Sequence, residues 1–80
     1  MKKYIIEQRD VVDIHDKYKD AQILVLDGLQ LLKNLQPLKK CPELIELTIT
    51  NCKIPSLEGL ENCKKLEKLT VRKCKDFTEE

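Results

Sequence analysis

The sequence predicts an α/β fold, a short solenoid in which about four parallel strands line a concave face and helical or 3₁₀ segments return the chain. Two observations predict it. Two stretches in the C-terminal half match at an offset of 22 residues. Within each unit apolar residues first alternate, as on a strand, and then recur at every third position, as on a helical or 3₁₀ arc.

The matching stretches are CPELIELTITNCK, beginning at Cys41, and CKKLEKLTVRKCK, beginning at Cys63. Leu44 corresponds to Leu66, Leu47 to Leu69, Thr48 to Thr70, Ile49 to Val71 and Cys52 to Cys74. A period of that length marks a repeat architecture, in which each unit hides its apolar face against its neighbours.

Taken from the N-terminus, the first strand is expected near residues 3–7, with Tyr4 and Ile6 inward, and the rest of its unit is a loose copy: Arg9-x-Val11, then Ile14, Tyr18 and Ala21. The second is expected near residues 23–27, with Leu24 and Leu26 inward, running on through Leu29-x-Leu31 and returning through Leu35 and Leu38. The third is expected near residues 46–50. There Leu47 and Ile49 point inward, Cys52 marks the bend, Ile54 closes the core, and Leu57, Leu60 and Cys63 lie on the return. The fourth is expected near residues 68–72, with Leu69 and Val71 inward. A single domain over residues 1–80 follows, residues 1–20 being a divergent unit and residues 21–80 the clear ones.

Written as spacing, Leu44-x-x-Leu47-x-Ile49-x-x-Cys52-x-Ile54 resembles the leucine-rich repeat, L-x-x-L-x-L-x-x-N/C-x-L. The 22-residue period and the return through Ile54, Leu57 and Leu60 resemble a short intracellular subclass. The stretch Leu66-x-x-Leu69-x-Val71-x-x-Cys74 is similar to the cysteine-containing subclass found in F-box proteins and in the mitochondrial ATP synthase coupling factor B family. The resemblance implies a fold that binds other macromolecules and names no partner, because such repeats host many unrelated ones.

Size and composition set further bounds. A chain of 80 residues buries only about 60–65% of the surface it exposes when unfolded, so the core is thin and stability marginal. With 41% apolar and 36% charged residues, the balance suits a folded, surface-rich protein and excludes collagenous and low-complexity classes. The longest apolar runs, such as Ile23 to Leu26, fall far short of the roughly 18–20 residues of a membrane span. The N-terminus, MKKYIIEQRDVVDIHD, has no signal-peptide apolar region. The expectation is a soluble intracellular protein, cytoplasmic by default and mitochondrial as the alternative. A net charge of +1 gives no overall drive towards nucleic acid or membrane.

Residues that suggest chemistry have plainer explanations. Cys41, Cys52, Cys63 and Cys74 are spaced evenly at 11 residues, and the repeat accounts for the spacing: Cys41 stacks on Cys63 and Cys52 on Cys74, at opposite ends of a coil. Buried core thiols are expected rather than disulfides or a zinc tetrahedron. His15, the only histidine, lies in the charged segment HDKYKD and reads as a solvated residue. Asp13, Asp16 and Asp20 interleave with Lys17 and Lys19, as on an exposed face. Gly28 falls at a strand exit and Gly59 in a return, where backbone freedom or close packing explains them. The only serine, Ser56, follows Pro55 in a connection. No catalytic set, cofactor site or metal site is visible, so no small-molecule substrate is expected.

The surface is more informative. Residues between the inward ones on each strand face outward, giving four rows: Lys3, Ile5, Glu7; Ile23, Val25, Asp27; Glu46, Thr48, Thr50; and Lys68, Thr70, Arg72. Ile5, Ile23 and Val25 form an apolar patch that Thr48 and Thr70 continue, which is either a contact surface or a face covered by the chain's own N-terminal segment. Lys64, Lys65, Lys68, Arg72, Lys73 and Lys75 gather positive charge, opposed by Glu61, Glu67 and Asp76. That edge is either solvated or faces an acidic protein or an RNA backbone. No cap motif is evident at either end, so neighbours in an assembly or further repeats are expected there, and Met1 with the acidic tail points to a complete small polypeptide. The function expected is a non-enzymatic protein-interaction module, an accessory subunit of a larger complex. The alternative is a ribonucleoprotein component touching RNA through Lys68, Arg72 and Lys73.

Overall fold

The computed structural model describes residues 1–74. Its four strands are β1 (Lys3–Ile6), β2 (Ile23–Asp27), β3 (Glu46–Thr50) and β4 (Lys68–Arg72). All pair in parallel and in chain order, β1-β2-β3-β4, to make one sheet. The register is unbroken, with Tyr4 opposite Leu24, Leu24 opposite Leu47 and Leu47 opposite Leu69. Three strands match the expected limits, and β1 stops at Ile6, leaving Glu7 beyond it. The fold is α/β-like, with a Cα radius of gyration of 11.2 Å.

The connections contain only short 3₁₀ turns, at Asp16–Tyr18, Gln36–Lys40 and Leu60–Asn62. An α-helix is absent from the described residues for a reason visible in the spacing. Every third residue from Leu26 through Leu29, Leu32, Leu35, Leu38, Cys41 and Leu44 to Leu47 is buried. A step of three keeps all of them on one side only if the arc runs at three residues per turn, the period of the 3₁₀ helix. Pro37 also enters the longest of these turns in its first turn, where its missing N–H is harmless.

One assignment in the second unit is corrected. Leu31 was expected in the core, yet it is 52% exposed, while Leu32 is 2% exposed. Lys53 N–H donates to Leu29 O, and Gln30 N–H, the equivalent donor one unit earlier, donates to Arg9 O. The two units are therefore in step up to these residues, and the extra residue of the 23-residue unit is accommodated just after them, at Leu31. In the first unit the expected core position Arg9 is exposed and Val11 only half-buried, whereas Ile14 and Ala21 are fully buried.

Each of β2, β3 and β4 ends in a residue with left-handed backbone: Gly28 at φ 80°, Asn51 at φ 55° and Lys73 at φ 55°. Glycine and asparagine suit that conformation, and lysine does not. The next residue drops into the core as Leu29 or Cys52. The Cys52 Sγ lies 3.2 Å from both Leu26 O and Thr50 O, so its thiol donates towards carbonyls at the strand ends. Cys74 repeats the arrangement with Ile49 O and Arg72 O. A small apolar residue with a weak donor thus suits the bend, as buried Leu29 does one unit earlier.

Gly59 starts the third 3₁₀ turn at φ 107°. A Cβ there would stand 2.2 Å from Gln36 N and 2.4 Å from Leu35 C, so glycine is required by contact as well as by dihedral. The same junction is tied by Leu35 N–H donating to Glu58 O at 2.8 Å.

The ends differ. At the β1 end Tyr4 and Tyr18 meet edge to face, ring centroids 5.2 Å apart, and the Tyr4 hydroxyl donates to Asp20 Oδ1 at 2.9 Å. Two amphipathic rings close that end with their apolar bodies inward and a polar tip outward. The rings cover the core side of that end, and β1 remains an edge strand of the sheet among the described residues. At the β4 end Leu69 is 39% exposed, although its register mates Leu24 and Leu47 are fully buried. No strand lies beyond β4 among the described residues. Lys75 and Asp76, which belong to the expected basic edge, lie outside the described residues, as does the rest of the tail.

Candidate protein-binding face

Alternation fixes which side chains leave the core. Because Leu24, Leu26, Leu47 and Ile49 point inward, their neighbours point to the opposite face of the sheet. Parallel register then aligns those neighbours across strands. Ile5 stands opposite Val25, Val25 opposite Thr48, and Thr48 opposite Thr70, a straight central row. With strands about 4.8 Å apart, that row is about 14 Å long.

Two flanking rows complete the face. Lys3, Ile23, Glu46 and Lys68 lie on the strand-entry side, and Asp27, Thr50 and Arg72 on the strand-exit side. All seven residues expected to bind a partner therefore share one surface: Ile5, Ile23, Val25, Thr48, Thr70, Lys68 and Arg72. Ile5 is 53% exposed, so the chain's own N-terminal segment does not cover the patch. That segment runs along the sheet instead, with Lys2 O accepting from Gln22 N–H and Ile23 N–H.

The charges are interleaved. Lys68 has Glu46 as its neighbour in the row, and Lys65 is paired with Glu43 at 2.7 Å. A phosphate chain crossing this edge would meet carboxylates beside the cations, which weakens the counterion-release term that drives nucleic-acid binding.

Two acidic residues of the first connection, Asp13 and Asp20, have structural tasks. Asp13 accepts from Lys40 Nζ at 3.0 Å and from Ile14 N–H, and these hydrogen bonds, the lysine's first, hold its carboxyl below the ordinary value. Asp20 accepts from Tyr4, which raises the tyrosine pKa. His15 Nδ1 accepts from Lys17 N–H at 2.9 Å and so caps the first 3₁₀ turn. Half-buried Val11 and exposed Val12 and Asp16 border a shallow depression beside Lys40.

All four cysteines are free thiols. Burial pushes the Cys41 thiol from 9.0 up to about 11 and raises Cys52 and Cys63 as well. Thiols so disfavoured as thiolates are poor nucleophiles and poor metal ligands. Among the described residues no three His, Cys, Asp or Glu side chains are grouped to hold a metal ion, and no helix is long and apolar enough to cross a membrane.

Sequence reasoning missed two exposed apolar residues, Leu31 and Leu69, having placed both in the core. The one signal available for Leu69 was its position in the last recognisable unit, with no following unit to cover it. Neither a family model, nor a curated protein, nor a solved structure matches the chain.

Proposed function

We infer that the chain is a short leucine-rich-repeat solenoid acting as a non-enzymatic protein-interaction module, an accessory subunit that docks a partner protein on the open face of its sheet. One observation carries this reading. The row Ile5, Val25, Thr48 and Thr70 is aligned across all four strands, with Ile5 53% exposed, the other three half-buried, and Ile23 widening its apolar half. A surface of apolar and small hydroxyl side chains with charges on its margins has the anatomy of a protein interface, an apolar centre within a polar rim. The solenoid reading is supported by the 22-residue match and by the stacking of equivalent residues in register. The ribonucleoprotein alternative is less well supported, because Glu46 sits beside Lys68.

The test places a charge in the apolar half. Val25→Glu should abolish recovery of the native partner while the circular dichroism spectrum is kept, since burying an unpaired charge at an interface costs several kcal/mol. Lys33→Glu, at an exposed position away from the sheet, serves as control. Lys40→Glu would be a poor control, as it breaks the pair with Asp13. Equal recovery with both variants refutes the assignment of this face. Affinity falling linearly with the logarithm of salt would point to RNA instead.

A further inference from the structure

The β4 end is the second unfinished surface. Lys68 N–H donates to Ile45 O, and Arg72 O accepts from Asn51 N–H, so the even-numbered residues of β4 direct their backbone groups at β3. By alternation Leu69 and Val71 direct theirs at the outer edge, where no strand lies among the described residues. On the core side of the same edge Leu69 is 39% exposed, and Leu66 and Val71 are only half-buried. Backbone donors, backbone acceptors and apolar side chains are thus presented together, the combination an added strand satisfies.

Charge decides what kind of strand. Between Leu60 and Cys74 there are five cations, Lys64, Lys65, Lys68, Arg72 and Lys73, against Glu61 and Glu67. On its occupied side β4 already shows the preference, because Glu46 faces Lys68. A second copy of the chain fits badly. Antiparallel pairing of two β4 strands about Thr70 sets Lys68 against Arg72, and a β1 strand continuing the sheet in register sets Lys3 against Lys68. Like charges directly opposed across strands are destabilising.

We propose that the outer edge of β4 accepts an edge strand from another protein, one with alternating apolar residues and acidic residues placed to face Lys68 and Arg72. This rests on the interaction-module reading and shares Lys68 and Arg72 with the open face, but it engages the β4 edge rather than the apolar half around Val25, so Val25→Glu should leave it intact.

The probe is a synthetic peptide, Glu-Glu-Leu-Thr-Val-Glu-Glu, titrated into the full 80-residue chain and followed by amide NMR and hydrogen exchange. Its lysine-substituted counterpart, Lys-Lys-Leu-Thr-Val-Lys-Lys, is the control. The acidic peptide should shift and slow exchange of the Leu69 and Val71 amides and bind about tenfold more tightly than the lysine peptide. The variant carrying Lys68→Glu and Arg72→Glu, both exposed positions, should reverse that preference, since opposite-charge and like-charge cross-strand pairs differ in sign. No response to millimolar acidic peptide, or equal response to both peptides, overturns the proposal. So does strong protection of the Leu69 and Val71 amides in the free chain, which would make residues 75–80 the cover. A concentration-dependent dimer abolished by Leu69→Glu would make a second copy the occupant and equally refute it.

Discussion

Replacing Gly59 with alanine probes the junction between units more sharply than any core truncation. Gly28→Ala is its natural reference, because both glycines have positive φ, 107° and 80°, and only Gly59 is also crowded. At Gly28 an added Cβ meets nothing within 4 Å, so the cost is conformational, about 1–2 kcal/mol. At Gly59 the Cβ would lie 2.2 Å from Gln36 N, 2.4 Å from Leu35 C and 2.5 Å from Gln36 Cα, all backbone atoms that cannot rotate away. The two returns must move apart. That adds about 1–3 kcal/mol of overpacking strain and weakens the bond from Leu35 N–H to Glu58 O, a further 1–3 kcal/mol or so for a buried donor. The total is about 3–8 kcal/mol, against a stability of about 4–12 kcal/mol for a domain of this length. Urea unfolding followed by far-ultraviolet circular dichroism should show Gly28→Ala with a modestly lowered midpoint and Gly59→Ala with a midpoint lowered severalfold further. Equal losses for the two variants would refute the packing of the third return against the second.

Three further outcomes are expected. Leu32→Ala should cost about 2–5 kcal/mol and Leu31→Ala within about 0.5 kcal/mol by the same assay; the opposite order would restore Leu31 to the core. Lys73→Gly should raise stability by roughly 1 kcal/mol by relieving a left-handed lysine, and a loss would mean that the lysine side chain contributes more than its backbone costs. A neutral thiol reagent should modify half-exposed Cys74 first and reach Cys41, Cys52 and Cys63 only on unfolding. The folded Cys41 thiol ionises near 11 and the unfolded one near 9.0, so its contribution is intact below pH 9 and is lost as the pH rises through 11. Thermal melts unchanged between pH 8 and pH 11 would contradict that burial.

The strands and the candidate face were legible from residue spacing. Alternation is a local property, so Leu47 and Ile49 inward force Thr48 outward whatever surrounds them, and the fixed offset then aligns Ile5, Val25, Thr48 and Thr70 across the sheet. All seven surface residues were legible for that reason. Tertiary structure alone decided between Leu31 and Leu32, because both are leucines and the choice depends on where a 23-residue unit takes up its extra residue against a shorter neighbour. It also decided that Tyr4 and Tyr18 close one end while Leu69 is left open at the other, although Tyr4 and Leu69 hold equivalent positions in the repeat. Gly59 belongs with these. Its need for glycine arises from a backbone 23 residues earlier at Gln36, a contact between units that no pattern within one unit records.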